Sequence, residues 1–224
     1  MYRDTVLYVK QSRRLTRRES QDVTRARLIA AAEKIFVRFG FGSSSVERIA
    51  EAAGFSRGAF YSNFQDKDEI FIAVLNKRRL AITTALGEIF RRESNVVTRL
   101  QAVRDWYVNQ EQQKEWIILE TEFTLRAIRN PAVKVRLAGL RRQELETYSA
   151  LVAQHFSQIG RPAIDRPETI ALSLMAIVQG LGRLSLINTD RDARGRFAEA
   201  RNLVFNRLIA IDDGATARTE ETEK

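Results

Sequence analysis

The sequence predicts an all-α protein of about nine helices, with an N-terminal three-helix domain and a larger C-terminal helical bundle. Three observations carry this. Apolar residues recur at helical spacing along most of the 224 residues. Only three prolines, Pro131, Pro162 and Pro167, interrupt the chain. The stretch from Ser44 to Lys67 has the pattern of two short helices joined by a tight turn.

Composition sets the outer limits. A hydrophobic content of 44% is enough to bury a core. The absence of cysteine excludes disulfides, thiolate metal sites and cysteine nucleophiles, and it fits a reducing, cytoplasmic location. No run of 18 apolar residues free of charge is evident, so no membrane partner is expected. The basic N-terminus lacks the apolar segment of a signal peptide.

Residues 1–23 show no sustained helical face and carry Arg13, Arg14, Arg17 and Arg18. They read as a flexible basic arm that either lies along a polyanion or is a solvated leader. Helix one is expected over 24–39, where Leu28, Ile29, Ala32, Ile35, Phe36 and Phe39 form one stripe closed by Gly40. The following glycine- and serine-rich loop lacks a Walker lysine and a preceding strand, so it is no phosphate loop of that kind.

In helix two, Val46, Ile49, Ala50 and Ala53 make one apolar face, and Ser44 with Glu47 has the spacing of a capping box. Gly54 suits the corner. Ser56 restarts a helix as N-cap, while Phe55 and Phe60 have the spacing of a hydrophobic staple and Phe64 closes the buried face. These residues form the helix-turn-helix domain, 24–66. Asp66 and Glu69 open a helix over 67–92, a rod of roughly 38 Å at 1.5 Å per residue. Further helices are expected over 96–112, 114–129, 131–158, 167–188 and 195–212. They place a C-terminal helical domain at 67–212, which the family resemblance given below implies is the ligand-binding and dimerisation domain, with a disordered polar tail over 213–224.

With Phe60 and Phe64 turned inward, Arg57, Gly58, Ala59, Tyr61 and Asn63 face out. A helix N-terminus offers unpaired N–H groups and the positive end of a dipole to a phosphate. Arg57 suits guanine in a major groove, Tyr61 suits a phosphate, and the small Gly58 and Ala59 permit close approach. The charge distribution agrees. Residues 1–80 hold sixteen Lys and Arg against nine Asp and Glu, a net +7, whereas 81–224 hold 21 against 19, a net +2. The plainer alternative is a surface hairpin without a partner.

The run from Thr24 to Lys67 resembles the DNA-binding domain of the TetR family of bacterial transcriptional repressors. TRARLIAAAEKIFVRFG, then SSVERIAEAAGFSRGAFYSNF, then Lys67 carry the likeness. The segment Phe60–Tyr61–Ser62–Asn63–Phe64 departs from it, because Asn63 stands where the family more often has histidine. The resemblance implies DNA contacts from Ser44, Ser45, Ser56, Arg57, Gly58, Ala59, Tyr61, Asn63 and Lys67. It also implies a palindromic double-stranded operator bound by a homodimer, release by a small-molecule inducer, and transmission from ligand to DNA through helix four.

The pocket likewise follows from the resemblance. Its candidate residues are Trp106, Trp116, Glu120, Phe123, Thr124, Tyr148, Met175 and Gln179, each with ordinary core packing as the alternative. Glu120 and Gln179 stand out because a polar group on an apolar face needs a partner. Helix eight has two apolar faces: Ala171, Leu174, Val178, Leu181 and Ser185 on one, Ile177, Gly180 and Leu184 on the other. That suggests dimerisation through helices eight and nine, the alternative being a central helix of a monomer. The single histidine, His155, reads as a surface residue near a helix C-terminus. No constellation for catalysis, metal or cofactor surrounds it, so no enzyme is expected. The competing non-enzymatic reading is a helical ligand-binding or interaction module without operator binding.

Overall fold

The structure is a computed structural model that describes residues 16–108, 113–189 and 193–209. Residues 1–15 of the expected basic arm and the expected tail over 213–224 lie outside the described residues. Those described form nine helices and no strand: α1 (Arg17–Phe39), α2 (Val46–Ala53), α3 (Arg57–Tyr61), α4 (Lys67–Arg92), α5 (Val96–Val108), α6 (Gln113–Arg129), α7 (Pro131–Gln158), α8 (Pro167–Ile187) and α9 (Ala193–Ile209).

Helix one corrects the expected arm. It begins at Arg17 rather than near residue 24, because Thr16 accepts from the Glu19 N–H while the Glu19 carboxylate accepts from the Thr16 N–H. That reciprocal capping box satisfies two end donors and lets residues 17–23 enter the helix. A second correction lies at α2. Its N-cap is Ser45, which accepts from Arg48 N–H at 3.2 Å. Ser44 is buried instead, its hydroxyl donating to the Gly40 carbonyl at 2.6 Å. Gly54, with φ of 76° and ψ of 31°, is left-handed, which turns the chain from α2 into α3 without a Cβ penalty. Ser56 caps α3 and Asp66 caps α4, as the spacing predicts. Asn130 caps α7, with Pro131 in its first turn.

The first core joins the three-helix domain to the bundle. Phe36, Phe41, Phe71 and Phe123 meet in edge and stacked pairs 4.3–5.6 Å apart. Polar contacts reinforce the same junction. The Arg126 guanidinium on α6 pairs with the buried Asp68 of α4, Arg136 on α7 reaches Asp66 at 3.3 Å, and Glu122 on α6 accepts from the Phe41 N–H at 2.9 Å. A second core, with Leu100, Val152, Phe156, Ile170, Ala171 and Ile209, lies at the far end.

Helix α8 packs on α7, α9 and α6. By length and composition it is also apolar enough to cross a bilayer, with a mean hydropathy of 1.8 over 18 residues, a property that the core helix of a bundle shares. Two charged residues, Glu168 and Arg183, punctuate it and hid this from a search for uncharged runs. Arg183 donates to Thr121 of α6 at 3.4 Å, so that charge is held inside the bundle.

Candidate nucleic-acid interface and ligand cavity

Helix α3 is five residues long and is anchored on one side alone. Phe60 is fully buried, and Phe64 just beyond the helix is nearly so. The opposite side presents Arg57, Gly58 and Tyr61 to solvent, with the Tyr61 ring 47% exposed. Arg57 lies 5.5 Å from the centre of that ring and pairs with Glu47 of α2 at 3.3 Å. Tyr61 and then Glu47 hold its guanidinium above the ordinary arginine range, so it stays charged. The arrangement is a pre-oriented cation on an exposed helix start beside a phenol, which suits a base edge flanked by phosphate.

The nine expected DNA residues do not all share that surface. Ser45, Ser56, Arg57, Gly58 and Tyr61 are exposed, and Ala59 is half-buried. Three depart from expectation. Ser44 is interior, as described above. Asn63 donates from Nδ2 to the Ala59 carbonyl at 2.8 Å, while its Oδ1 is buried without a protein partner. Lys67 points inward: its ammonium donates to the carbonyls of Phe41 at 2.8 Å and Ser44 at 2.7 Å, with Nζ 4.4 Å from the Phe41 ring centre. Burial, then the neighbouring Arg126, push its pKa down. Its task is to close the α1–α2 loop. Among residues absent from the expected set, Arg25 on α1 donates to the Asn63 carbonyl and lies 4.0 Å from the Phe64 ring centre, so it fixes the end of the recognition helix.

A cavity of about 260 Å³ opens among α4 to α9. Of the eight expected ligand residues, Trp106, Glu120, Tyr148, Met175 and Gln179 line it. Trp116, Phe123 and Thr124 do not. Trp116 is core beneath the Arg78 guanidinium, 4.4 Å from its ring centre. Phe123 is fully buried and stacks on Phe71 at 4.3 Å. The Thr124 hydroxyl donates to the Glu120 carbonyl at 2.6 Å. The α8 face formed by Ala171, Leu174 and Val178 turns to the cavity.

One wall of the cavity is charged. Arg141 bridges Glu120 at 2.8 Å and Glu144 at 2.6 Å. Burial pulls the Arg141 pKa down, but the two carboxylates outweigh it and hold the guanidinium above its usual range. Burial, then Glu144 and Glu120, push the Tyr148 phenol well up, so it stays protonated. Phe90, Leu100, Val152 and Phe205 supply apolar lining.

His155 also lines the cavity and is the clearest correction, being fully buried rather than at the surface. Nε2 lies 3.0 Å from the Ile209 carbonyl, and Nδ1 lies 3.5 Å from Nη1 of the buried Arg99. Arg99 is a donor only, so the Nδ1 contact requires an acceptor there and the proton sits on Nε2. Burial lowers the histidine pKa; the Ile209 carbonyl opposes and Arg99 adds to the lowering. Among the described residues no group of three or more His, Cys, Asp or Glu could hold a metal.

A helix-turn-helix of this form, with a basic exposed recognition helix rigidly tied to a cavity-bearing bundle, defines a DNA-binding transcriptional regulator. The family described as bacterial regulatory proteins, tetR family, matches residues 28–74. The chain is 25% identical over 174 residues to the HTH-type transcriptional activator FasR of Mycolicibacterium smegmatis, covering 76% of this chain and 75% of FasR. It is 26% identical over 185 residues to the HTH-type transcriptional repressor Rv1474c of Mycobacterium tuberculosis, covering 81% and 91%. Among solved structures, a transcriptional regulator from Rhodococcus sp. Rha1 superposes with a TM-score of 0.64 at 26% identity, covering 82% of this chain and 95% of that one. Residues 28–74 thus carry a helix-turn-helix domain of the tetR-family type, and most of the chain is similar to helix-turn-helix transcriptional regulators.

Proposed function

We propose that this protein is a ligand-responsive repressor acting in the cytoplasm. Two copies, joined through α8 and α9, bind a palindromic operator with their α3 helices in successive major grooves. A small apolar or amphipathic molecule in the cavity then releases the DNA. The observation that carries the DNA-binding part is the exposed, charged Arg57 beside Tyr61 on a helix whose other side is buried. The dimer reading is supported by the outward apolar surface of α8 and α9, where Leu172, Leu184, Ile187 and Leu203 are at least half exposed.

Helix α6 supports the coupling. Ile117 and Glu120 line the cavity, while Glu122 and Arg126 on the same helix hold Phe41 and Asp68 at the DNA-binding domain. A ligand that displaces α6 therefore acts on both the α1–α2 loop and the start of α4, and it shifts the equilibrium only if it prefers one arrangement.

The sign of regulation is the finer point, since one relative is named an activator and the other a repressor. The test is fluorescence anisotropy on DNA from upstream of the protein's own gene, joined to a reporter in cells with and without the protein. Repression is expected, together with a dimer footprint of two half-sites about 34 Å apart. Reporter activity that rises with the protein establishes the activator sign instead. Operator and random DNA bound alike at every salt concentration refute sequence-specific binding.

A further inference from the structure

The polar groups that the cavity leaves uncommitted identify the ligand. Among the described residues its lining carries the guanidinium groups of Arg78, Arg104, Arg141, Arg183 and Arg201 and the carboxylates of Glu120 and Glu144; Arg78 lies over the Trp116 ring and Arg104 reaches Asn206 at 3.3 Å. Arg141 takes both carboxylates. Arg183, on α8, is left with only the weak contact from Nε to the Thr121 hydroxyl among the described residues. One helical turn earlier on the same helix, Gln179 also lines the cavity and makes no hydrogen bond to any described residue. The Tyr148 hydroxyl, on α7 in the same lining, is likewise without a hydrogen-bond partner among the described residues. It is kept protonated by burial and by its two glutamate neighbours, so it remains a donor.

A half-buried cation and uncommitted polar groups are costly unless something pairs with them. Arg183 supplies a planar fork suited to two oxygens, Gln179 an amide N–H, and Tyr148 an O–H. All can donate to one acid group. The lining also carries a set of apolar side chains, among them Ile82, Leu86, Phe90, Val152 and Phe205.

The geometry points to an amphipathic monoanion as the ligand: a single acid group bound by Arg183, Gln179 and Tyr148, with an alkyl or similarly apolar body against the apolar lining. This rests on the reading of the cavity as the ligand site. Among the described residues a cationic headgroup finds no lining carboxylate that is not already paired with Arg141. A bare inorganic anion leaves the apolar lining uncovered. The volume of about 260 Å³ limits the body to modest size.

The test is calorimetric titration of the full-length protein at neutral pH with three compounds of equal chain length: decanoate, decan-1-ol and decyltrimethylammonium. Decanoate is expected to bind about tenfold or more tightly than the other two, the fold-change that one charge-assisted hydrogen bond gives. Arg183→Gln should bring decanoate to the level of decanol and leave decanol binding unchanged. Gln179→Leu and Tyr148→Phe should each reduce the carboxylate preference in part. They serve as the second set should Arg183→Gln disturb the fold, which circular dichroism reports.

Alcohol bound as tightly as the acid, ammonium bound more tightly, no binding by any of the three, or a preference indifferent to all three substitutions overturns the anion site. Operator affinity is measured on the same samples. Decanoate held by Arg183 with operator affinity unchanged overturns the regulatory reading and leaves the anion site standing. Charge-blind binding that still releases operator does the reverse.

Discussion

Lys67→Met separates a structural role from a DNA-contacting one. The ammonium donates to two carbonyls, of Phe41 at 2.8 Å and Ser44 at 2.7 Å, so both hydrogen bonds are short and charge-assisted. A hydrogen bond to a charged group contributes about 1.5–3 kcal/mol net. The two share one ammonium and are not additive, so their joint loss should cost about 2–4 kcal/mol. Methionine keeps the apolar stem against the Phe41 ring and strands the carbonyls, which isolates the polar contribution. Against a typical stability of about 5–15 kcal/mol, that is a large shift in the urea midpoint at unchanged slope. The paired measurement is a salt titration of DNA binding. A lysine that neutralised a phosphate would add about 0.9 per copy to the slope of log K against log salt, about 1.8 for a dimer. The expected result is a destabilised protein with an unchanged slope. An unchanged urea midpoint with a slope reduced by about 1.8 would refute the reasoning and return Lys67 to the DNA.

The other predictions test separate parts of the molecule. Arg57→Ala should cost about 1–3 kcal/mol of discrimination at one base pair per half-site, whereas Tyr61→Phe should weaken operator and random DNA alike; binding to a panel of single-base operator variants distinguishes the two. Gly180→Arg should yield monomers in sedimentation with helix content kept, because a side chain there meets nothing within 4 Å inside one subunit, and persistence of the dimer rules out that face. Thr16→Ala should cost about 1 kcal/mol and speed amide exchange over residues 17–20, since it removes the α1 cap. His155 titrates below its ordinary value of 6.5 when folded, so the unfolded chain binds more protons in that range. Stability should therefore fall as pH drops below about 6.5, and in His155→Gln, which lacks the chain's one histidine, urea melts should lose that dependence.

Most of the fold was legible because each helix advertises its own ends. Asp66 and Glu69, Ser56, and Asn130 with Pro131 act on backbone three or fewer residues away, and the expected starts of α3, α4 and α7 stand within a residue. Where two local signals compete, pattern alone does not choose. Ser44 and Ser45 both qualify as caps. Packing decided between them, since the Ser44 hydroxyl is drawn to the Gly40 carbonyl and Lys67 closes over its own carbonyl. The start of α1 is hidden in the sequence for a different reason. Thr16 and Glu19 have the spacing of a capping box, but the turn behind them is polar, and an apolar stripe was the criterion for helix.

The cavity was legible by half, and the missing half has a pattern. Glu120 and Gln179 stand out in the sequence as polar groups on apolar faces, whereas their neighbours in the lining do not. Arg183 is four residues beyond Gln179, and Glu144 is four before Tyr148, so helical spacing alone puts both on the lining. Arg141, three residues before Glu144 and seven before Tyr148, shares that face, but its pairing with Glu120 spans 21 residues and two helices, which local spacing does not reveal. His155 shows the same limit more sharply. Its position near the end of α7 is a local fact and suggests a solvated, protonated ring. Its burial depends on Arg99, 56 residues earlier, and Ile209, 54 residues later, which close over it from both sides. A donor-only guanidinium on one nitrogen and a carbonyl on the other leave a single tautomer, so the ring that sequence position would charge is the one the fold keeps neutral.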